Sequence, residues 1–302
     1  MRTFAIFLLL FALAAIVSGL LTYPAWVLVQ TIADQPVHRV MERVGMLVLG
    51  ATTVVFLRKW GLANKVALGY GISRPIFIRQ MLWGFVSGVL LMLPITALLL
   101  SMGVRVLSAD YLTSASPTLD LVKAVGVGLL TGFAVAFVEE TFCRGAMFAA
   151  IKRESGLALA ILLPTLFYAA THFLGGKLRI PADQVTYSSG LQVTANLFER
   201  FTSPLEFADS FLALVALGVL LSLIRWRTGA IAGCVGLHAG GVCVIVATRN
   251  LTDVDRSASW SWLVGSYDGV IGWLMLAWIA IVALVYLRFA KSDSYGHPVA
   301  TN

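Results

Sequence analysis

The sequence predicts an all-α membrane protein that crosses the bilayer about eight times in a single bundle. Of its 302 residues, 59% are hydrophobic and only 12% are charged, whereas a soluble globular protein carries about 25% charged residues. Most of the apolar residues also fall into runs of about 18 or more, which is the length of a membrane-spanning helix. We therefore predict one transmembrane domain over residues 1–290 and a disordered tail over residues 291–302.

The apolar runs give the order of the spans. The first run is longer than the apolar core of about 7–15 residues in a cleaved signal peptide, so we interpret it as a spanning helix. The fourth run would exceed a bilayer core of about 30 Å, so we expect it to tilt or protrude. The predicted spans are Phe4–Val29, Val44–Leu57 (extending back to about Val40), Met81–Val104, Leu121–Ile151, Leu157–Leu174, Phe207–Ile224, Ala230–Thr248 and Val270–Phe289.

The connections between these runs set the predicted orientation. A basic segment, residues 58–79, is typical of a cytoplasmic loop on lipid headgroups, and residues 225–229 are expected to form a tight basic turn. Residues 175–206 form the longest polar connection, with a short surface helix expected near Leu197. Eight spans place both termini on one side, whose short loops are rich in Lys and Arg, so the positive-inside rule favours cytoplasmic termini.

The net charge of +7 is spread over these loops. This distribution suits a bilayer with anionic headgroups as the partner. No concentrated basic face or aromatic motif indicates nucleic-acid binding. The three cysteines, Cys143, Cys234 and Cys243, lie in apolar runs and are interpreted as small buried residues.

Three ionisable residues interrupt the fourth apolar run: Glu139, Glu140 and Arg144. Each such group near the centre of a bilayer costs about 2.5–3.5 kcal/mol on insertion scales, so these groups are rare and usually functional. Residues four apart share a helix face, which predicts an ion pair between Glu140 and Arg144. Glu139 points about 100° away and is left as a free carboxylate suited to a general base. The alternative is a buried ion-pair network that only fixes helix packing.

Two histidines lie in other apolar runs. His172 ends the fifth run, one turn after Tyr168 and beyond Pro164, which is expected to kink the helix. His238 lies near mid-depth of the seventh run among Gly233, Gly236, Gly240 and Gly241. These glycines predict close helix packing and also room for water or substrate. Either histidine is also compatible with a purely structural hydrogen-bonding position, and His38 and His297 are assigned no role.

Glu139, His172 and His238 therefore lie on three different spans. If they converge, they form a carboxylate–imidazole site that can activate water. Glutamate and histidine also ligate zinc in several hydrolases, but the HExxH motif of soluble zinc proteases is absent from the sequence.

The ordered motifs EExxxR (Glu139 to Arg144), aromatic-xxx-His (Tyr168 to His172) and a later buried His238 resemble those of a known family. This is the CAAX-protease and bacteriocin-processing family of intramembrane endopeptidases, also called the Abi or Rce1-like family. The resemblance covers about residues 121–247, the predicted catalytic core. Tyr168 stands where the family usually has Phe. Val242 stands where it usually has Asn or Asp, and valine has no hydrogen-bond donor for an oxyanion.

The resemblance implies roles for the matching residues. Glu139 and His172 would activate the attacking water, and His238 would help to bind the oxyanion. Glu140 and Arg144 match the family's supporting glutamate and arginine, and Tyr168 is a supporting residue of the second motif. The implied mechanism is metal-free, so no cofactor is expected, although zinc remains an alternative.

The sequence thus predicts an intramembrane endopeptidase in a bacterial inner membrane, with a cavity between the fourth, fifth and seventh spans. Its substrate would be a membrane-associated peptide or protein: a lipid-modified C-terminus, a bacteriocin-type leader or a C-terminal sorting tail. The main alternative is a non-catalytic scaffold or immunity-type protein of the same fold, which Val242 favours. A transporter with Glu139 and Glu140 as a proton relay is a third class, although the sequence contains no evident internal repeat.

Overall fold

A computed structural model describes residues 1–175 and 178–289, and these residues are mainly helical. Among these described residues, six helices are long and apolar enough to cross a membrane, which confirms an all-α polytopic membrane protein. Two shorter apolar helices lie at the predicted fifth and eighth spans, so the count of eight stays a prediction. The predicted tail lies outside the described residues. The helices are α1 (Arg2–Gln30), α2 (Val37–Lys59), α3 (Arg74–Ser101), α4 (Ala109–Leu112), α5 (Pro117–Glu140), α6 (Phe148–Ser155), α7 (Leu157–Thr171), α8 (Ser189–Ala195), α9 (Ala208–Thr228), α10 (Ala232–Leu251) and α11 (Trp273–Phe289).

The two ends of the bundle are marked by different contacts. At one end, the amino group of Met1 lies 3.1 Å from Oε1 of Glu154, near the end of α6. At the other end, β1 (Arg105–Leu107) follows α3 and pairs antiparallel with β2 (Thr252–Val254), which follows α10. We call these ends the N-terminal face and the strand face.

Several helices begin before their apolar runs. The helix α3 begins at Arg74, with Pro75 in its first turn, and takes up the last part of the predicted basic loop. The helix α2 likewise begins at Val37, directly after Pro36. A proline near the first turn presets the backbone for a helix regardless of hydropathy, so these ends lie in the basic flanks rather than at the apolar boundary.

The predicted tight turn at residues 225–229 is wrong. The helix α9 continues to Thr228 and ends at Gly229, whose φ of +68° closes the helix. Arg225 is buried within this helix and donates from Nε to the carbonyl oxygen of Arg144, at 3.0 Å, and from Nη2 to that of Ala67, at 3.0 Å. Its physical role is to hold the loop after α2 against the fourth span.

The predicted short helix near Leu197 is present as α8, which ends at Ala195. It packs on α1, where Gly190 lies against the backbone of Gly19. The close approach of these two glycines leaves no space for a larger residue and brings the polar connection onto the side of the bundle.

The helices α3, α5 and α10 pack closely through small residues. A Cβ atom at Gly236 would contact the carbonyl oxygen of Met81, and one at Gly240 would contact that of Phe85, both on α3. On the other side of α10, a Cβ atom at Gly132 would lie 2.5 Å from the carbonyl oxygen of Ala239. The expected close packing is therefore present. At Gly236 and Gly240, however, the backbone of α3 fills the space that was expected for water or substrate.

The fourth span is not a uniform α-helix. The helix α5 passes into a π-helical segment, Thr141–Met147, which leads into α6. The combined helix is 39 residues long. Segments of π-helix are rare and occur frequently at functional sites. Here the segment follows the two glutamates directly and contains Arg144.

Candidate active site

The structure brings all six candidate residues together. Glu139 and Glu140 end α5, and Arg144 lies in the π-helical segment. Tyr168 and His172 lie at the strand-face end of α7, and His238 lies in the middle of α10. The three helices are those between which the sequence predicted a site.

The predicted ion pair between Glu140 and Arg144 is present. Nη1 of Arg144 lies 3.2 Å from Oε1 of Glu140, and both side chains are fully buried. Nη2 of Arg144 donates to the carbonyl oxygen of Gly218 on α9, at 3.2 Å. The guanidinium also stacks over the ring of Tyr168, 4.5 Å from its centroid, so both electrostatic and cation–π contacts compensate for its removal from water.

Glu140 has a second partner that the sequence did not predict. Nδ1 of His238 lies 2.8 Å from Oε1 of Glu140, in a buried environment. A hydrogen bond from Nδ1–H to the carboxylate fixes the orientation of the imidazole and directs Nε2 away from Glu140. Glu140 is therefore more than a partner for Arg144, since it also orients His238.

Glu139 faces both histidines. Its Oε2 lies 3.9 Å from Nε2 of His238 and 4.0 Å from Nε2 of His172. These distances are too long for direct hydrogen bonds, but a bridging water molecule can span each of them. The Glu139 side chain is 31% exposed and that of His238 only 3% exposed, so the site is reached from the Glu139 side.

The orientation of His172 is also fixed by its surroundings. Its Nδ1 lies 2.8 Å from the carbonyl oxygen of Tyr168, one turn earlier, and can only donate to that oxygen. Nε2 of the neutral ring is then an acceptor that faces Glu139. The ring of Tyr168 makes edge contacts with both imidazoles, at centroid distances of 4.6 Å to His172 and 5.8 Å to His238.

The polar atoms at the centre of this site are incompletely paired. Among the described residues, Oε2 of Glu139, Oε2 of Glu140 and Nε of Arg144 are buried and have no hydrogen-bond partner. Buried polar atoms are nearly always paired in folded proteins, so each such atom requires an explanation. Three of them within one site indicate a place where a substrate or water completes the hydrogen bonding.

The distances between the candidate ligand atoms are longer than those around a bound zinc ion. A tetrahedral zinc with bonds of about 2.0–2.2 Å holds its ligand atoms about 3.3–3.6 Å apart, whereas Oε2 of Glu139 and the two Nε2 atoms are 3.9 and 4.0 Å apart. Within the described residues, no group of three or more His, Cys, Asp or Glu side chains could hold a metal ion.

One nearby residue was missed in the sequence. Tyr267, in the loop before α11, places its ring 6.2 Å from that of His172 and 5.1 Å from that of Phe173. It lies in a polar connection with no motif around it, so no sequence signal pointed to it. Val242, one turn beyond His238 on α10, is only partly buried.

These observations define a multi-pass membrane protein with a buried carboxylate–imidazole centre. Residues 121–244 match the model of a family described as type II CAAX prenyl endopeptidase Rce1-like. The match covers 124 of the 302 residues and supports a likeness of this region to the Rce1-like family, whose members are generally CAAX-type membrane proteases. Such a family implies a lipid-bilayer environment and a protein or peptide substrate. No curated protein and no solved structure matches the chain.

Proposed function

We propose that the protein is an intramembrane endopeptidase in which Glu139, held opposite His172 and His238, activates a water molecule. The observation that carries this proposal is the distance of 3.9–4.0 Å from Oε2 of Glu139 to both Nε2 atoms. A water molecule between these atoms would be held by a carboxylate and an imidazole, the pair of groups that general-base catalysis requires.

The hydrogen-bonding pattern supports a protonated His238. If both imidazoles were neutral, two Nε2 lone pairs and an ionised carboxylate would all be acceptors at one point. A proton on Nε2 of His238 removes this conflict. It also balances the charges, since the Arg144 and His238 cations would match the Glu139 and Glu140 anions. His238 would then be an imidazolium between the two carboxylates.

The proposed reaction follows from these roles. Glu139 accepts a proton from water while the water oxygen bonds to the carbonyl carbon of the substrate, and Nε2 of His172 accepts a hydrogen bond from the same water. The resulting oxyanion accepts a hydrogen bond from Nε2–H of His238. When the C–N bond breaks, Glu139 returns the proton to the leaving nitrogen, which gives a carboxylic acid and an amine.

This proposed mechanism requires no metal. Glu139 is the base, and the developing negative charge is balanced by His238, itself held by Glu140 and Arg144. The proposed location is a bacterial inner membrane with both termini in the cytoplasm. The proposed substrate enters from the membrane between α5, α7 and α10, and it is a lipid-modified C-terminus, a bacteriocin-type leader or a C-terminal sorting tail.

The test uses purified protein in detergent micelles and three peptide types: a prenylated C-terminal peptide, the same peptide without its lipid, and a leader-type peptide. Cleavage by the wild type is compared with that by Glu139→Ala and His238→Ala, with products identified by mass spectrometry. The matched controls are Glu42→Ala and His38→Ala, both on α2 and remote from the site. We expect cleavage of at least one peptide by the wild type and the controls only. Equal cleavage by the wild type, both site variants and both controls would contradict the proposal.

A second candidate function is peptide binding without hydrolysis. Val242 favours it, because this position supplies no hydrogen-bond donor to an oxyanion. A wild type that binds a peptide with the same affinity as Glu139→Gln, and releases no product, would decide for this function.

A further inference from the structure

The loop before α11 is organised around Tyr267. We call residues 264–272 the Tyr267 loop. Its two ends are joined, because the amide of Gly265 donates to the carbonyl oxygen of Ile271 at 2.9 Å. Within it, Oδ1 of Asp268 accepts from the amides of Val270, at 2.9 Å, and Ile271, at 2.7 Å. Such closed hydrogen bonding makes the loop a compact unit rather than a loose connection.

Side chains from three other elements hold this loop in place. On one flank, Arg256 Nη2 donates to the carbonyl oxygen of Gly265 at 3.2 Å. On the other flank, Arg105 Nη1 donates to that of Gly269 at 3.0 Å. Ser210 Oγ, on α9, donates to the carbonyl oxygen of Ile271 at 2.9 Å. Tyr267 lies between these anchors and is thus presented to the site from a fixed backbone.

A glycine at position 269 allows this seating. Its φ is +72°, in the left-handed region, and a Cβ atom there would contact the side chain of Val254 on β2. Only glycine meets both demands without strain. The strand pair therefore supports the loop through the contact of Val254 with Gly269, which is two residues after Tyr267.

The phenol of Tyr267 is a hydrogen-bond donor throughout the physiological range. Burial, together with the carboxylates of Asp268 and Glu139, raises its pKa to about 12. Glu139 is among these causes, so the phenol lies within electrostatic range of the proposed base. The ring also makes an edge contact with His172. A protonated phenol thus borders the same space as Glu139 and His172.

An oxyanion in this site needs a second donor. His238 offers one through Nε2, and Val242 offers none. The other tyrosine nearby, Tyr168, is 2% exposed and is covered by the guanidinium of Arg144 and by both imidazoles. Tyr267 is only partly buried and comes from the strand face, the same direction in which Val242 lies from His238. It is therefore the tyrosine that a substrate can reach.

We propose that Tyr267 is a further catalytic residue, whose hydroxyl donates a hydrogen bond to the substrate carbonyl oxygen as it becomes the oxyanion. Tyr267 keeps its proton throughout, so it adds no step to the reaction. This inference rests on the proposed peptidase function. In this proposal, the Tyr267 loop holds the donor that orients the scissile bond relative to Glu139.

The test compares Tyr267→Phe with the wild type in the full chain, using the peptide that the wild type cleaves. Tyr187→Phe is the matched control, since Tyr187 is 74% exposed and lies in the connection after α7. We expect Tyr267→Phe to lower kcat by about 10²–10³, the usual cost of losing one oxyanion donor, with KM and thermal stability unchanged. Its affinity for a peptide with a phosphinate in place of the scissile amide should fall by a similar factor. The control should match the wild type in every measurement.

Two results would overturn the inference. The first is a Tyr267→Phe protein with wild-type kcat. The second is a fall in kcat accompanied by lower thermal stability and unchanged affinity for the phosphinate, which would mean that Tyr267 only packs against His172. Glu139→Ala in the same assay separates these results from a failure of the proposed function. If cleavage does not depend on Glu139, the peptidase proposal and this inference both fail, whereas Glu139-dependent cleavage with a wild-type Tyr267→Phe rejects Tyr267 alone.

Discussion

Two buried arginines in this molecule have opposite degrees of hydrogen bonding. At the strand face, all three nitrogens of the Arg105 guanidinium are paired. Nε donates to Oγ1 of Thr252 at 2.6 Å, Nη2 to the carbonyl oxygen of Thr252 at 2.6 Å, and Nη1 to that of Gly269 at 3.0 Å. In the site, Arg144 has two contacts at 3.2 Å, and its Nε has no partner among the described residues.

The difference separates a structural cluster from a functional one. The Arg105 cluster is complete without any ligand, because neutral oxygens of the protein satisfy the cation and tie a loop to a strand pair. The Arg144 cluster retains unpaired atoms on Glu139 and Glu140. Leaving buried polar atoms without hydrogen bonds costs free energy. In this fold, such atoms lie where water and a substrate carbonyl are proposed to react.

The largest expected effect is on stability, after Arg144→Met. Removing one partner of a buried ion pair leaves an uncompensated charge and costs about 3–5 kcal/mol. Arg105→Met should cost only about 1–3 kcal/mol, because it leaves neutral oxygens rather than a carboxylate unpaired. The free energy of unfolding in detergent micelles, followed by circular dichroism, checks both values. Arg58→Met, at an exposed position, is the control. The comparison fails if Arg144→Met is as stable as this control.

A smaller effect should separate the two glutamates. Glu140→Gln weakens charge-assisted hydrogen bonds to Arg144 and His238, and should lower the free energy of unfolding by about 1.5–3 kcal/mol. Glu139→Gln removes no hydrogen bond within the protein, because Oε2 of Glu139 has no partner among the described residues. Its free energy of unfolding should therefore fall by less than that of Glu140→Gln, while hydrolysis falls by about 10²–10⁴, the usual contribution of a general base. Equal destabilisation by both substitutions would contradict the division of roles.

Much of the fold could be predicted from the sequence, because a bilayer demands long apolar helices and these are visible as runs. The ends of α2 and α3 could not be placed in this way, since prolines set them in the basic flanks. The buried position of Arg225 was also missed. Its partners are backbone carbonyl oxygens 81 and 158 residues away, and no local pattern encodes such contacts.

The sequence predicted which residues form the candidate site, but not the hydrogen bonds and contacts between them. Helical spacing gave the pair of Glu140 with Arg144, and the ordered motifs gave Glu139, His172 and His238. The bond from His238 to Glu140 joins residues 98 apart in the chain, and it depends on how closely α10 packs on α5. Tyr267 depends on an entire loop being folded and anchored. Both features arise from tertiary packing, which hydropathy and spacing do not encode.

The smallest expected effect is that of Tyr168→Phe, which sharpens the contrast between the two tyrosines of the site. The side chain of Tyr168 makes its contacts in the site through its aromatic ring, which lies under the Arg144 guanidinium and against both imidazoles. Phenylalanine keeps this ring and its volume, so we expect the free energy of unfolding to change by less than about 0.5 kcal/mol and kcat to stay at the wild-type level. Tyr168→Leu, which removes the aromatic face, should be less stable than Tyr168→Phe by about 1–2 kcal/mol. A loss of kcat in Tyr168→Phe as large as that expected for Tyr267→Phe would instead identify Tyr168 as the donor, because each substitution removes one phenol hydroxyl from a ring that contacts His172.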